Sequence, residues 1–247
     1  MDVVYVIGTG SKWDNNELRY SLRSIEKYGR NVARVIIVGY CPDWVNRDIV
    51  EYIPAEDETK VPAINVFRKI SKVWGKVSGH FLLFNDDIFL KGPVDLDRYP
   101  VYSKGDMPTP LSVQSIHFGD KRYTNMLLAT ADVMRRNNLG TTMYSHHAPL
   151  HFDYRAYVIL ELAGIWKELE ASERGLSMAN LMVSAYVSLD KIPTVPRCDV
   201  KLHHLNTPED LKELDGTDIF SIYDSAIHTG VANYLEKLFP SPSRFEK

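Results

Sequence analysis

Val3-Val4-Tyr5-Val6-Ile7-Gly8-Thr9-Gly10-Ser11 is the stretch on which the reading of the fold turns. Its apolar, mostly β-branched run has no polar face, which marks a strand buried on both sides, as in a parallel sheet. The glycines then end the strand and open a loop. Leu18, Leu22 and Ile25 come next on one face at helical spacing, with Asn15 or Asn16 placed to cap the helix. Val35-Ile36-Ile37-Val38, stopped by Gly39, reads as a second buried strand, and Ile49 to Ile53 as a shorter third. Ala63 to Val77 carries Phe67, Ile70, Val73 and Trp74 as a helical stripe, and His80-Phe81-Leu82-Leu83-Phe84 is a fourth strand. Strands alternating with helices predict an α/β fold, an open and mainly parallel sheet flanked by helices.

Past Pro93 the pattern loosens. Residues 94–125 are rich in turn formers, and helices are expected from Asn125 to Asn137, over 153–170 and 177–189, and around Val231 to Leu238. No internal repeat or low-complexity stretch is present. The expected organisation is one domain over 1–247, with a nucleotide-binding half at 1–95 and a helical acceptor half at 96–247 sharing a cleft.

Composition narrows the classes. The chain has 247 residues, 45% hydrophobic and 25% charged, which suits a globular core. A net charge of -3 without a run of five like charges argues against a nucleic-acid partner in the absence of a local basic groove. Cys41 and Cys198 lie in no metal-ligand or C-x-x-C spacing and read as free thiols of a reducing compartment. No apolar run approaches the ~18 residues of a transmembrane span. Met1-Asp2 leads straight into a strand without a signal-peptide pattern. These features predict a cytoplasmic protein.

The sharpest chemical signal is Phe81-Leu82-Leu83-Phe84-Asn85-Asp86-Asp87. An apolar strand delivers two adjacent carboxylates to its C-terminal end, where open α/β sheets bind ligands. Two like charges in such a place are costly without compensation, and a hard divalent cation shared with substrate phosphates supplies it. The same pair could instead begin a turn or cap the next segment. Gly8-Thr9-Gly10-Ser11 could bring backbone N–H groups against a phosphate, or be a plain strand-to-helix turn; it is neither a Walker loop nor a full G-x-G-x-x-G.

His146 to His151, after Ser145, packs three histidines into six positions, candidates for a zinc pair, for a general base or for mere surface residues. Asn180 lies among Leu181, Met182 and Val183 and needs partners if buried. Arg174 precedes that helix. Asp224 comes after the run Ile219 to Tyr223 as another carboxylate at a strand end, and His203-His204 reads as structural.

Asp2-Val3-Val4-Tyr5, then Asn16-Glu17-Leu18-Arg19-Tyr20-Ser21-Leu22-Arg23-Ser24-Ile25-Glu26-Lys27-Tyr28, then Phe81 to Asp87, together resemble the Stealth family of sugar-phosphate transferases. That family includes bacterial capsule polymerases and the N-acetylglucosamine-1-phosphotransferase of lysosomal enzyme tagging. The similarity continues through His147-Ala148-Pro149 with Asp153, through Arg174 and Asn180, through Ser221-Ile222-Tyr223-Asp224, and through Leu238 to Glu246.

The resemblance implies a glycosyltransferase-A-like fold, a nucleotide-sugar donor such as a UDP-sugar, and magnesium or manganese. It places Asp86 and Asp87 at the metal and diphosphate, His147 as acid/base, Arg174 on phosphate and Asp224 as a further carboxylate. Gly8, Thr9, Gly10, Arg19, Asn85 and Asn180 are the residues expected around the donor. One departure stands out. Where the family usually reads Tyr-Thr-Trp-Val-Asp/Asn-Gly, this chain has Tyr5-Val6-Ile7-Gly8-Thr9-Gly10.

Three functions are expected on these grounds. The first is transfer of sugar-1-phosphate to a hydroxyl of a glycan or other acceptor, as in surface polysaccharide synthesis. The second moves the sugar alone and releases a nucleoside diphosphate, to a glycan, protein or modified nucleic-acid base. The third is a non-catalytic carbohydrate-binding protein.

Overall fold

The computed structural model describes residues 1–115, 121–173, 175–196 and 200–247. Its main elements run β1 (Asp2–Ile7), α1 (Asn16–Tyr28), β2 (Arg34–Gly39), β3 (Glu51–Pro54), α2 (Pro62–Ser71), β4 (His80–Phe84) and β5 (Ile88–Leu90). They continue with α3 (Lys121–Arg136), β6 (Leu150–Asp153), α4 (Tyr154–Leu162), α5 (Ile165–Ala171), α6 (Met178–Asp190), β7 (Val200–Leu202), β8 (Ile219–Ile222) and α7 (Val231–Leu238).

The main sheet has the order β6-β4-β1-β2-β3. β1 lies parallel to β2, with Val4 opposite Ile36, and parallel to β4, with Val3 opposite Leu82. β3 extends the parallel set, and β6 closes the other edge antiparallel, Leu150 opposite Leu83. The expected open, mainly parallel α/β sheet is therefore present, and it agrees with a glycosyltransferase-A-like fold. Its edge strand β6 comes from the second half of the chain.

The period of two along β1 and β4 assigns the faces. Val3, Tyr5, Leu82 and Phe84 pack with Leu18, Leu22 and Ile25 of α1. Val4, Phe81 and Leu83 pack instead with Phe67 and Ile70 of α2, Leu127 of α3 and Leu181 of α6. Both faces are covered, which is why the strands read as continuous apolar runs.

Three expected helices differ. The stripe over 63–77 forms a helix only to Ser71, followed by turns through Lys76, although Val73 stays fully buried. Residues 153–170 make two helices, because Gly164 adopts φ 74° between them, and α3 spans Lys121–Arg136 rather than starting at Asn125. The expected cap on α1 also changes. Asn15 occupies the N-cap position at φ 57° but makes no side-chain cap bond, and Ser11 Oγ accepts the N–H groups of Trp13 and Asn15 instead.

A second sheet, β7-β8-β5, pairs Ser221 of β8 with Ile88 antiparallel and with Lys201 parallel. Its apolar residues Phe89, Phe220 and Ile222 pack with Val231 and Leu235 of α7. The chain between Phe84 and Ile88 thus passes from one sheet to the other.

At the opposite end of β4, His80 Nε2 lies 3.0 Å from His151 Nδ1, and His151 Nε2 lies 2.8 Å from the Tyr99 carbonyl. The carbonyl fixes the proton on Nε2, so Nδ1 accepts from His80. Burial pushes His151 down to about 4, with the neighbouring His80 acting the same way. A histidine kept neutral in the fold but titrating near 6.5 when unfolded contributes its full share of stability above pH 6.5. That share is lost as the pH falls from 6.5 toward 4. The stability gap between wild type and His151→Gln should therefore narrow by about 2 kcal/mol between pH 7 and pH 5, read from urea melts at both values. A gap independent of pH would refute the neutral-histidine account.

Candidate active site

Asn85-Asp86-Asp87 forms the turn between the two sheets, closed by the Ile88 N–H on the Asn85 carbonyl at 3.2 Å. α1 anchors the strand that leaves this turn. Ser21 Oγ donates to the Ile88 carbonyl at 2.5 Å and lies 2.7 Å from the Tyr5 hydroxyl, and Ser24 Oγ accepts the Leu90 N–H at 3.0 Å. These serines are fully buried, so the exit of the aspartate turn is held on a rigid helix.

Four carboxylates share this region. Asp86 and Asp87 are half-buried, Glu17 projects from the first turn of α1 and is buried, and Asp224 is exposed after β8. Burial raises Asp86 to about 7, reinforced by Asp87, Glu17 and Asp224. Burial also raises Asp87 and Glu17. Lys201 opposes this at Asp87, its Nζ 3.3 Å from Oδ2, and Lys12 lies 3.7 Å from Asp224 at the surface. Ser11 Oγ donates to Glu17 at 3.0 Å, tying the loop after β1 to the cluster. Among the described residues, no group of three or more His, Cys, Asp and Glu side chains converges as metal ligands.

Tyr223 connects this cluster to the histidine loop. The Lys201 Nζ lies 4.3 Å from the centroid of its ring, His203 stacks on it at 3.8 Å, and His147 lies 6.5 Å away, centroid to centroid. His147 is half-buried. Asn85, itself exposed, donates from Nδ2 to the His146 carbonyl at 3.0 Å, so the aspartate turn and the His146-His147 loop are bonded directly.

The loop after β1 places Thr9 and Gly10 in solvent and Gly8 beside Asp57. Its root is fixed by Lys69, a buried lysine whose Nζ donates to the Ile7 carbonyl at 3.0 Å and pairs with Asp57 at 2.7 Å.

Two residues expected at the donor, Arg19 and Asn180, have partners within the protein. Arg19 stacks its guanidinium over Trp44 at 4.7 Å and pairs with Glu246 at 3.4 Å, on the C-terminal segment that Arg23 also clamps. Asn180 is fully buried and already engaged. Its Oδ1 accepts the Tyr144 N–H at 2.9 Å, and its Nδ2 lies 2.7 Å from His146 Nε2 and 2.8 Å from Ser177 Oγ. It holds the histidine loop from behind. Burial pushes His146 down to about 4, in keeping with an uncharged acceptor for that amide. Neither histidine belongs to a zinc-type ligand group among the described residues. Arg174 and Cys198 lie outside the described residues, and Cys41 is a buried free thiol.

Glu17, Lys201, Tyr223 and Lys69 are participants that local sequence patterns do not single out. A charged residue in the first turn of α1, directly after a loop, is the available signal for Glu17. Lys201 and Tyr223 meet only through strand pairing.

Comparison with known proteins places this site in context. No family model matches the chain. The mouse N-acetylglucosamine-1-phosphotransferase subunits alpha/beta are 34% identical over 105 residues, 37% of this chain and 8% of that protein. A capsular polysaccharide phosphotransferase of Haemophilus influenzae is 31% identical over 96 residues, 35% of this chain and 26% of the relative. An exopolysaccharide phosphotransferase of Mycobacterium leprae (strain TN) is 23% identical over 285 aligned positions, 98% of this chain and 52% of the relative. The chain thus spans from 8% to about half of the length of these relatives. No helix among the described residues is long and apolar enough to cross a membrane.

Proposed function

The chain is a relative of the N-acetylglucosamine and surface-polysaccharide phosphotransferases, and from that premise we propose that it transfers a sugar-1-phosphate from a nucleotide sugar to an acceptor hydroxyl. The observation that carries this reading is the carboxylate cluster of Glu17, Asp86, Asp87 and Asp224, at the C-terminal end of a parallel sheet and bonded through Asn85 to the loop of His147. Such a cluster holds more negative charge than Lys201 and Lys12 offset, which suits a site built around a cation and a diphosphate.

Magnesium or manganese fits the donor set. Magnesium commonly binds through one or two carboxylates and completes its shell with water and substrate phosphates, so a third protein ligand is not required. Asp86 and Asp87 would hold the cation, which when bound neutralises charge on the diphosphate. The acceptor oxygen attacks the phosphorus that carries the sugar, and the bridging bond to the second phosphorus breaks. A phosphodiester and a nucleoside monophosphate result, and the acceptor proton passes to His147. Arg174, through the family resemblance, would meet phosphate. The chemistry demands little of the protein beyond positioning and charge balance. The acceptor in this reading is a glycan of a surface polysaccharide, with a UDP-sugar as donor.

The departure at Gly8-Thr9-Gly10 favours one rival, attack at the anomeric carbon with release of nucleoside diphosphate. Identifying the released nucleotide decides. Monophosphate is expected, and diphosphate would replace phosphoryl transfer by ordinary glycosyl transfer. His147→Ala should lower turnover by about 10²–10⁴-fold while donor affinity stays within a few-fold. Unchanged turnover would remove His147 from the reaction.

A further inference from the structure

Lys201 has a role that neither the resemblance nor the relatives assign. It sits on β7 opposite Ser221, and β8 carries that register to Ile88, the residue after Asp87. Three strands from distant parts of the chain therefore bring one ammonium to the aspartate turn. Its side chain is 16% exposed and that of Asp87 23%, so the pair is partly shielded from water. The contact is long for a charged hydrogen bond, 3.3 Å to a single oxygen. On another side the ammonium meets a π face, the Tyr223 ring at 4.3 Å, backed by stacked His203. An ammonium with a long polar contact and an aromatic resting place, on a four-carbon stem, can be re-aimed at little cost.

Lys201 also meets a conflict. A divalent cation bound at Asp86 and Asp87 would be drawn to the oxygen that the ammonium holds, and the two cations repel at that distance. We propose that Lys201 is a resident counter-cation of Asp87, which gives up that carboxylate when a divalent ion occupies the pair and then faces the donor's diphosphate. The donor supplies the negative charge that Lys201 loses, and Tyr223 keeps the ammonium within reach. The proposal rests on the metal and diphosphate reading above.

Titration of the full chain with Mn²⁺ alone, followed by the spectrum of the free ion, tests the first half. Lys201→Met should bind Mn²⁺ about 10-fold more tightly than wild type, the factor expected from removing a nearby like charge worth about 1.4 kcal/mol. Lys201→Arg, which keeps the charge, should stay near wild type. At saturating Mn²⁺, UDP should bind Lys201→Met about 10-fold more weakly. If Lys201→Met fails to fold, Lys201→Gln serves in the same comparison.

Equal Mn²⁺ affinity in wild type and Lys201→Met overturns this proposal and leaves the metal reading standing. Tighter Mn²⁺ with unchanged UDP binding overturns the diphosphate half. Mn²⁺ bound by none of the proteins overturns the metal reading itself, and the counter-cation role with it.

Discussion

Asp86→Asn should make the metal-free protein more stable while removing the proposed transferase activity. In the native chain Asp86 is half-buried beside Asp87, with Glu17 and Asp224 also felt at its carboxyl. Burial, then those like charges, carries its titration from the ordinary 3.8 to about 7. A folded-state value above the unfolded one means that ionisation opposes folding. The penalty is absent below pH 3.8, grows as the pH rises toward 7, and is complete above it. A shift of that size corresponds to at most about 4 kcal/mol, and partial exposure reduces the expected gain to about 2 kcal/mol. Asparagine keeps the shape, removes the charge, and offers N–H donors to Asp87.

In chelator at pH 8 the variant should melt about 4–8 °C above wild type, and the two should converge near pH 4. Mn²⁺ should raise the wild type by ligand binding to the native state and leave the variant nearly unmoved. A variant less stable than wild type in chelator at pH 8 would show that the cluster is not held under repulsion, and the case for a cation at this turn would go with it. Stability surrendered at a functional site and recovered by neutralising it is a known trade-off.

The frame of the fold was legible because burial on both faces leaves a signature that needs no neighbours. Val3 to Ile7, Val35 to Val38 and Phe81 to Phe84 could hardly be anything but central strands, and they lie side by side in the main sheet. Helix ends were less legible. The apolar stripe through Val73 and Trp74 continues past Ser71 because the following turns still pack on the sheet, so periodicity persists where the helix does not. Gly164 interrupts a helical pattern by backbone conformation alone, and apolar spacing resumes at Ile165 and Trp166.

The site was legible in its residue types and only partly in its geometry. Asp86 and Asp87 sit where the strand delivers them. Asn180 needed partners, as a buried amide must, but nothing in the sequence could say that Tyr144, His146 and Ser177 provide them. Arg19 illustrates the ambiguity of an amphipathic helix. It shares α1 with Glu17, two positions away, yet Glu17 turns toward the aspartates and Arg19 toward Trp44 and the C-terminal segment. Lys201 depends on the pairing of β7, β8 and β5, a long-range choice that no local pattern encodes.

Gly39→Ala should be the most damaging small substitution in the molecule, through backbone rather than side-chain chemistry. Gly39 ends β2 beside the end of β1 at φ 111°, a region costly to any residue with a side chain. A Cβ there would stand 2.1 Å from the Ile7 carbonyl oxygen and 3.2 Å from Lys69 Cε. The carbonyl cannot retreat freely, since it accepts from the Tyr40 N–H at 3.0 Å and from Lys69 Nζ at 3.0 Å. Strain and overpacking together should cost about 3–5 kcal/mol, a large part of the roughly 5–15 kcal/mol that holds an ordinary domain. In urea the unfolding midpoint should fall by about 1 M or more.

Gly75→Ala separates the two contributions. Gly75 also has a positive φ, 85°, but a Cβ there meets nothing within 4 Å. It carries the conformational cost alone, about 1 kcal/mol. Equal midpoints for the two variants would show that the Ile7 carbonyl yields easily. The loop that begins at Gly8 would then be less rigidly seated than Lys69, Asp57 and Gly39 imply.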